Sequence, residues 1–163
     1  MHPIAQKPSL ARLSALALGL LLAVSVSFAT AQTIPDIQRL MNQGQMPQAM
    51  EKADQYIASK PKDAQGRFMK GLILTEMGRT TEAIAVFTRL TEDFPELPEP
   101  YNNLAVLYAQ QKQYDKARTA LEMAIRTHPS YSIAHENLGD VYSKLASQAY
   151  DKALQLDSSN KTT

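Results

Sequence analysis

The chain has no cysteine and no tryptophan among its 163 residues, and only six glycines. Without cysteine it has no disulfide to stabilise it, no thiol chemistry and no thiolate zinc site. Charge of one sign is also lacking: 17 Lys and Arg face 16 Asp and Glu. The two basic residues of the first 31, Lys7 and Arg12, have no acidic counterpart there, so the rest holds 15 basic against 16 acidic residues. That balance gives no electrostatic case for binding nucleic acid or an anionic membrane surface. No Gly-x-Ser-x-Gly, phosphate-binding glycine loop or catalytic carboxylate pair occurs. His135-Glu136 begins like a His-Glu-x-x-His zinc motif, but residue 139 is Gly, and His128 lies across Pro129. A metal-dependent hydrolase built on His128, His135 and Glu136 is thus a remote alternative, and the expected reading is a non-enzyme with no metal and no cofactor. His135 is expected in a packing position.

What is present is a period. Gly44, Gly78 and Lys112 are 34 residues apart, as are Ala49, Ala83 and Ala117, and Pro61, Pro95 and Pro129. Three independent markers at one spacing indicate a repeat of helix pairs. Apolar residues recur every three to four positions and never every two, so the chain reads as all-α. The spacing predicts helices from Pro35 to about Asn42 and from Pro47 to Ser59, then over 63–77, 80–93, 99–111 and 114–127. Gly44 sits in the first turn. Gly78 suits a helix end that needs positive φ, and Lys112 takes that place in the next repeat at some conformational cost.

These residues resemble the tetratricopeptide repeat family. Tyr101, Leu104, Ala105 and Tyr108 look like its first helix; Tyr114-Asp115-Lys116-Ala117, Leu121, Ala124 and Pro129 look like the second helix and its stop. Gly71, Leu74, Gly78, Ala83, Phe87, Leu90 and Pro95 fill the unit before, with Lys70 standing where the family usually has Leu. The first unit is kept by Leu40, Gly44, Ala49, Ala53, Tyr56 and Pro61. A fourth opens at His135-Glu136-Asn137-Leu138-Gly139. The resemblance covers about 33–157, with repeats at about 30–63, 64–97 and 98–131 and a degenerate one at 132–157. It implies a right-handed α-solenoid of about three to four helix pairs with a long C-terminal capping helix, and a concave surface that holds another chain.

Matching the repeat places the inner-face candidates on the first helix of each pair. They are Phe68, Met69, Leu72, Thr75 and Glu76; then Asn102, Asn103, Val106, Ala109 and Gln110; then Glu136, Asn137, Asp140 and Lys144. Of these, Phe68, Met69, Leu72, Asn102, Asn103, Val106, Asn137 and Asp140 are the expected partner-binding residues. Asn side chains both donate and accept, which suits an extended peptide backbone. Family members that grip an acidic C-terminus use Lys, Arg and Asn; here Phe68, Asn102 and Asn103 stand at the matching places, without cations to hold a carboxylate. Met41, Met46 and Met50, and Tyr101, Tyr108, Tyr131 and Tyr142, read as packing residues.

The two ends differ from the middle. Lys7 and Arg12 precede an apolar run from Leu13 to Phe28 that closes on Ala29-Thr30-Ala31, the form of a secretory signal peptide. Cleavage is expected after Ala31, leaving a periplasmic protein of a bacterial cell envelope with no stable membrane insertion; an uncleaved signal would give an inner-membrane-tethered assembly factor. After Tyr142 no Gly or Pro appears. Ala153-Leu154-Gln155-Leu156-Asp157 looks like the end of a second helix about five residues early, while Tyr150-Asp151-Lys152-Ala153, a second copy of residues 114–117, allows an alignment with two residues inserted. Residues 131–157 are expected to form one long helix, or one bent near Ser143–Ser147, packed as the terminal cap. A disordered tail is expected over 158–163. The partner is expected to be a protein or peptide, and self-association through the groove or last helix is a further alternative.

Overall fold

A computed structural model describes residues 33–160. The signal-peptide reading of residues 1–31 lies outside them. Among the described residues there are seven helices and no strand: α1 (Ile34–Asn42), α2 (Met46–Ser59), α3 (Ala64–Glu76), α4 (Thr80–Asp93), α5 (Pro98–Gln110), α6 (Tyr114–Thr127) and α7 (Ser132–Asn160). The boundaries of α1–α6 fall within a residue of those the spacing predicts. No described helix is long and apolar enough to cross a membrane.

Local chemistry sets these ends. Thr33 caps α1 by accepting from the Asp36 N–H, and Pro35 occupies the first turn, where a missing N–H costs nothing. Asp63 caps α3 by accepting from the Gln65 N–H at 2.9 Å, and it also accepts from the Tyr56 hydroxyl at 2.6 Å. Those bonds, the tyrosine's first, hold its carboxyl below the ordinary carboxylate value. The turns between the helices of a pair carry φ of +71° at Gly44, +70° at Gly78 and +59° at Lys112. A side chain at such a φ costs roughly 1–2 kcal/mol. Lys112→Gly therefore raises stability by about 0.5–1 kcal/mol once glycine's greater unfolded-state freedom is subtracted. A thermal melt that leaves the variant at or below the parent contradicts this.

Each helix packs on its neighbours in sequence, and α1 packs directly on α3 and α5 on α7. No comparable pairing joins α2, α4 and α6, so the stack closes toward the side of the first helices. Two buried clusters fill it. Ile37, Ala49, Ala53, Tyr56, Met69 and Ile73 form one. A larger one runs from Leu74 and Phe87 through Leu107 and Leu121 to Ala134 and Val141. Met50 and Leu72 touch both. Phe87 lies on Gly71 so closely that a β-carbon there would sit 2.6 Å from its ring. Lys70, off the family pattern, reaches back to Asp54 of α2 at 2.7 Å instead of entering the core.

α7 is a single helix of 29 residues, the first of the two forms expected. It packs on α6 and α5 through its N-terminal half alone. From Ala146 to Asp157 every residue is exposed, so among the described residues this part is not packed as a cap on the stack. The helix also runs through Ser158–Asn160, which were expected in a disordered tail; residues 161–163 are outside the description. His135 is exposed rather than packed, with no described helix folding back to cover it, and its Nε2 lies 2.9 Å from the Pro129 carbonyl.

Candidate functional site: two clefts along the first helices

The expected inner-face residues do not form one continuous surface. Phe68 and Met69 line one cleft on the α1/α3/α5/α7 side, and Val106, Ala109, Gln110, Asn137, Asp140 and Lys144 line a second; Thr75, Glu76 and Glu136 are among those that line neither. The first cleft, about 280 Å³, lies where α3 and α5 begin. Phe68, Met69, Leu90, Leu97 and Pro100 give it apolar walls, and Gln65 and Glu99 stand at its edge. It opens here because α3 packs on α1, α2 and α4, and α5 on α4, α6 and α7, with little direct contact between α3 and α5. Phe68 is half-buried and meets Phe87 edge-on, ring centres 5.7 Å apart. Met69 is 5 % exposed and belongs mainly to the core, showing the cleft only its edge.

The second cleft, about 310 Å³, runs between the C-terminal half of α5 and α7. Val106, Ala109, Leu121 and Val141 line it, with Gln110, Asn137, Asp140 and Lys144 as its polar components. Val106 is 36 % exposed, an aliphatic side chain held open to solvent beside three polar groups of α7. The cleft is thus an apolar trough with one acid, one base and two amides along it, able to take an apolar side chain while bonding a backbone.

Leu72, Asn102 and Asn103 line neither cleft. Asn102 is 7 % exposed, and its Oδ1 accepts from Asn137 Nδ2 at 2.8 Å. That bond joins α5 to α7 and takes up hydrogen-bonding capacity that an incoming chain would need. Asn103 donates to the Glu99 carbonyl one turn back in its own helix at 2.9 Å. Leu72 packs between the two core clusters. The residues that sequence reasoning left out include Gln65, Leu97, Glu99 and Pro100. They frame the first cleft from the start of α3 and the turn into α5, and the sparse contact between α3 and α5 leaves them lining it.

Among the described residues no group of three or more His, Cys, Asp or Glu is placed to hold a metal ion. His128 lies 3.2 Å from the Ser130 hydroxyl, and His135 is turned to the Pro129 carbonyl, so the two do not converge with Glu136.

Comparison with known proteins agrees with this architecture. Tetratricopeptide repeat profiles match residues 37–98 and 74–138, overlapping in the middle of the stack. The chain is 38% identical over 74 residues, 42% of its length, to the "Tetratricopeptide repeat domain-containing protein PYG7, chloroplastic" of Arabidopsis thaliana. It is 36% identical over 67 residues to the "Uncharacterized protein ycf37" of Pyropia yezoensis. These matches span only 25% and 38% of those two proteins. Among solved structures, YrrB, described as "a TPR protein with an unusual peptide-binding site", superposes with a TM-score of 0.57 at 26% identity. That match covers 61% of this chain and 52% of YrrB. With the 34-residue period, the paired helices and both profiles, which together cover residues 37–138, the chain belongs to the tetratricopeptide repeat family.

Proposed function

We propose that the protein is an exported, non-enzymatic adaptor of the bacterial cell envelope that holds a segment of another protein along the first-helix side of its stack. The observation that carries this reading is the second cleft, where exposed Val106 lies among Asn137, Asp140 and Lys144. An isolated exposed valine is ordinary, but one at the floor of a trough edged by hydrogen-bonding groups suits the side chain of a docked segment. The peptide-binding site named for YrrB supports the same class of partner. Export is supported by Lys7, Arg12, the apolar run Leu13–Phe28 and the Ala29-Thr30-Ala31 end.

Val106→Glu tests the site. It sets a carboxylate on the apolar floor, near Asp140, and reduces partner capture at least about tenfold, the effect of roughly 1.4 kcal/mol. Because Val106 is outside both buried clusters, helicity and melting stay near the parent's. The variant is compared with the parent by quantitative crosslinking in cells. Undiminished capture with intact helicity removes the second cleft from the account. Sequencing the N-terminus of the exported protein separates the free form from a tethered assembly factor: Gln32 marks the first, an intact Met1 the second.

A further inference from the structure

The exposed half of α7 carries the buried pattern of a second helix. In the three preceding repeats the second helix presents a triad at i, i+4 and i+7: Ala49/Ala53/Tyr56, Ala83/Phe87/Leu90 and Ala117/Leu121/Ala124, all between 0 % and 4 % exposed. Ala146, Tyr150 and Ala153 have the same spacing and the same small–large–small character as the third. All three are exposed, Tyr150 at 73 %.

The missing turn explains why. Gly71 and Phe87 are 16 residues apart; with Ala153–Asp157 aligned as the end of a second helix, their counterparts Gly139 and Tyr150 are 11 apart, a loss of five residues. The connections Met77–Arg79 and Gln111–Gln113 are three residues long, so the loss removes the whole turn. With no Gly or Pro left to break it, the helix runs straight on and its second half cannot fold back on its first. The surface awaiting that half is uncovered. The Gly71 site is filled by the Phe87 ring, but nothing described lies within 4 Å of a β-carbon built at Gly139. A glycine in the middle of a long helix weakens it relative to alanine, and here nothing described in the same chain makes use of the space it leaves.

We infer that a second copy of this chain covers this surface, through an antiparallel pairing of the two α7 helices about a two-fold axis. In the intact repeats the second helix runs antiparallel to the first. Two α7 helices set antiparallel restore that arrangement twice over, each copy giving the other's fourth repeat the second helix it lacks. Tyr150 of each copy lies on Gly139 of the other, as Phe87 lies on Gly71. The surface is self-complementary because donor triad and acceptor glycine lie on one stripe of one helix, the condition for an isologous dimer. At about 100° per residue, Gly139, Tyr142, Ala146, Tyr150 and Ala153 fall within roughly 60° of one another's mean direction. Asp140 and Lys144 of the second cleft lie about 100–140° round the helix from Gly139. The pairing therefore leaves the clefts open, and it stands or falls independently of the adaptor reading.

Sedimentation velocity on the purified protein, at increasing concentration through the micromolar range, gives a dimer mass. Gly139→Leu fills the socket while favouring the helix, so it gives a monomer with helicity equal to or above the parent's. Because the chain lacks cysteine, Ala146→Cys on the stripe closes an intermolecular disulfide on mild oxidation, while Gln148→Cys, on the opposite side of the helix, does not. A parent that stays monomeric at every concentration overturns the inference. So does a Gly139→Leu variant that dimerises as the parent does, or equal crosslinking at 146 and 148.

Discussion

Phe87→Ala lowers stability by about 3–5 kcal/mol, the usual range for removing a buried aromatic ring. Phe87 is fully buried, fills the space above Gly71 and meets Phe68 edge-on, so the deletion removes packing against both. The edge-on ring contact alone contributes roughly 0.5–1.5 kcal/mol beyond burial. The cavity closes poorly, because Gly71 has no side chain to move into it. In a stack held by neighbour contacts, a weakened second repeat also uncouples the first from the third. A fall in melting temperature of roughly 10–20 °C, with a broader transition, is the expected result by circular dichroism. Gly71→Ala compounds the test from the other side, since its β-carbon meets the same ring. A Phe87→Ala protein that melts within a few degrees of the parent contradicts the packing described here.

Ala117→Leu is the second large effect, of opposite kind. Ala117 opens the triad of α6, has no exposed surface and lies in the α5–α6 contact. Three further carbons there force α6 off α5 or push neighbouring side chains from their rotamers, at a cost of roughly 1–3 kcal/mol. Thr119, two residues on, is exposed, and Thr119→Leu changes stability by no more than about 0.5 kcal/mol. The pair tests the helical register, because a slip of two residues would exchange the outcomes. A melting temperature for Ala117→Leu equal to or above that of the parent, or the larger loss at 119, counts against the repeat assignment.

The sequence carried the helices well because each repeat marks its own ends. The prolines stop second helices, and the glycines, with Lys112 in their place, turn between the helices of a pair. A lysine at φ +59° shows the repeat's geometry overriding local preference. The site was less legible. Asn102 stands at a position the repeat pattern assigns to the groove, yet its hydrogen bond to a residue 35 positions on takes it into the joint between helices. Met69 likewise joins the core through neighbours on α1 and α2, which no local pattern encodes. Val106, Asn137 and Asp140 were placed in one cleft because position along the first helix decides their direction, although Asn137 also bonds Asn102 across the joint. α7 departs for a countable reason: the deleted turn is visible in the sequence, but whether the two halves bend or continue depends on the absence of a break, which only the folded helix displays.

Capture of another protein on the first-helix side is tested most directly by crosslinking with mass spectrometry in intact cells, comparing the parent with Val106→Glu and with Gly139→Leu. The account predicts at least one partner retained by the parent and by Gly139→Leu, crosslinked through residues of α3, α5 or α7 at the clefts, and depleted about tenfold or more by Val106→Glu. Equal recovery of every partner with all three proteins, or crosslinks confined to α2, α4 and α6, would contradict it.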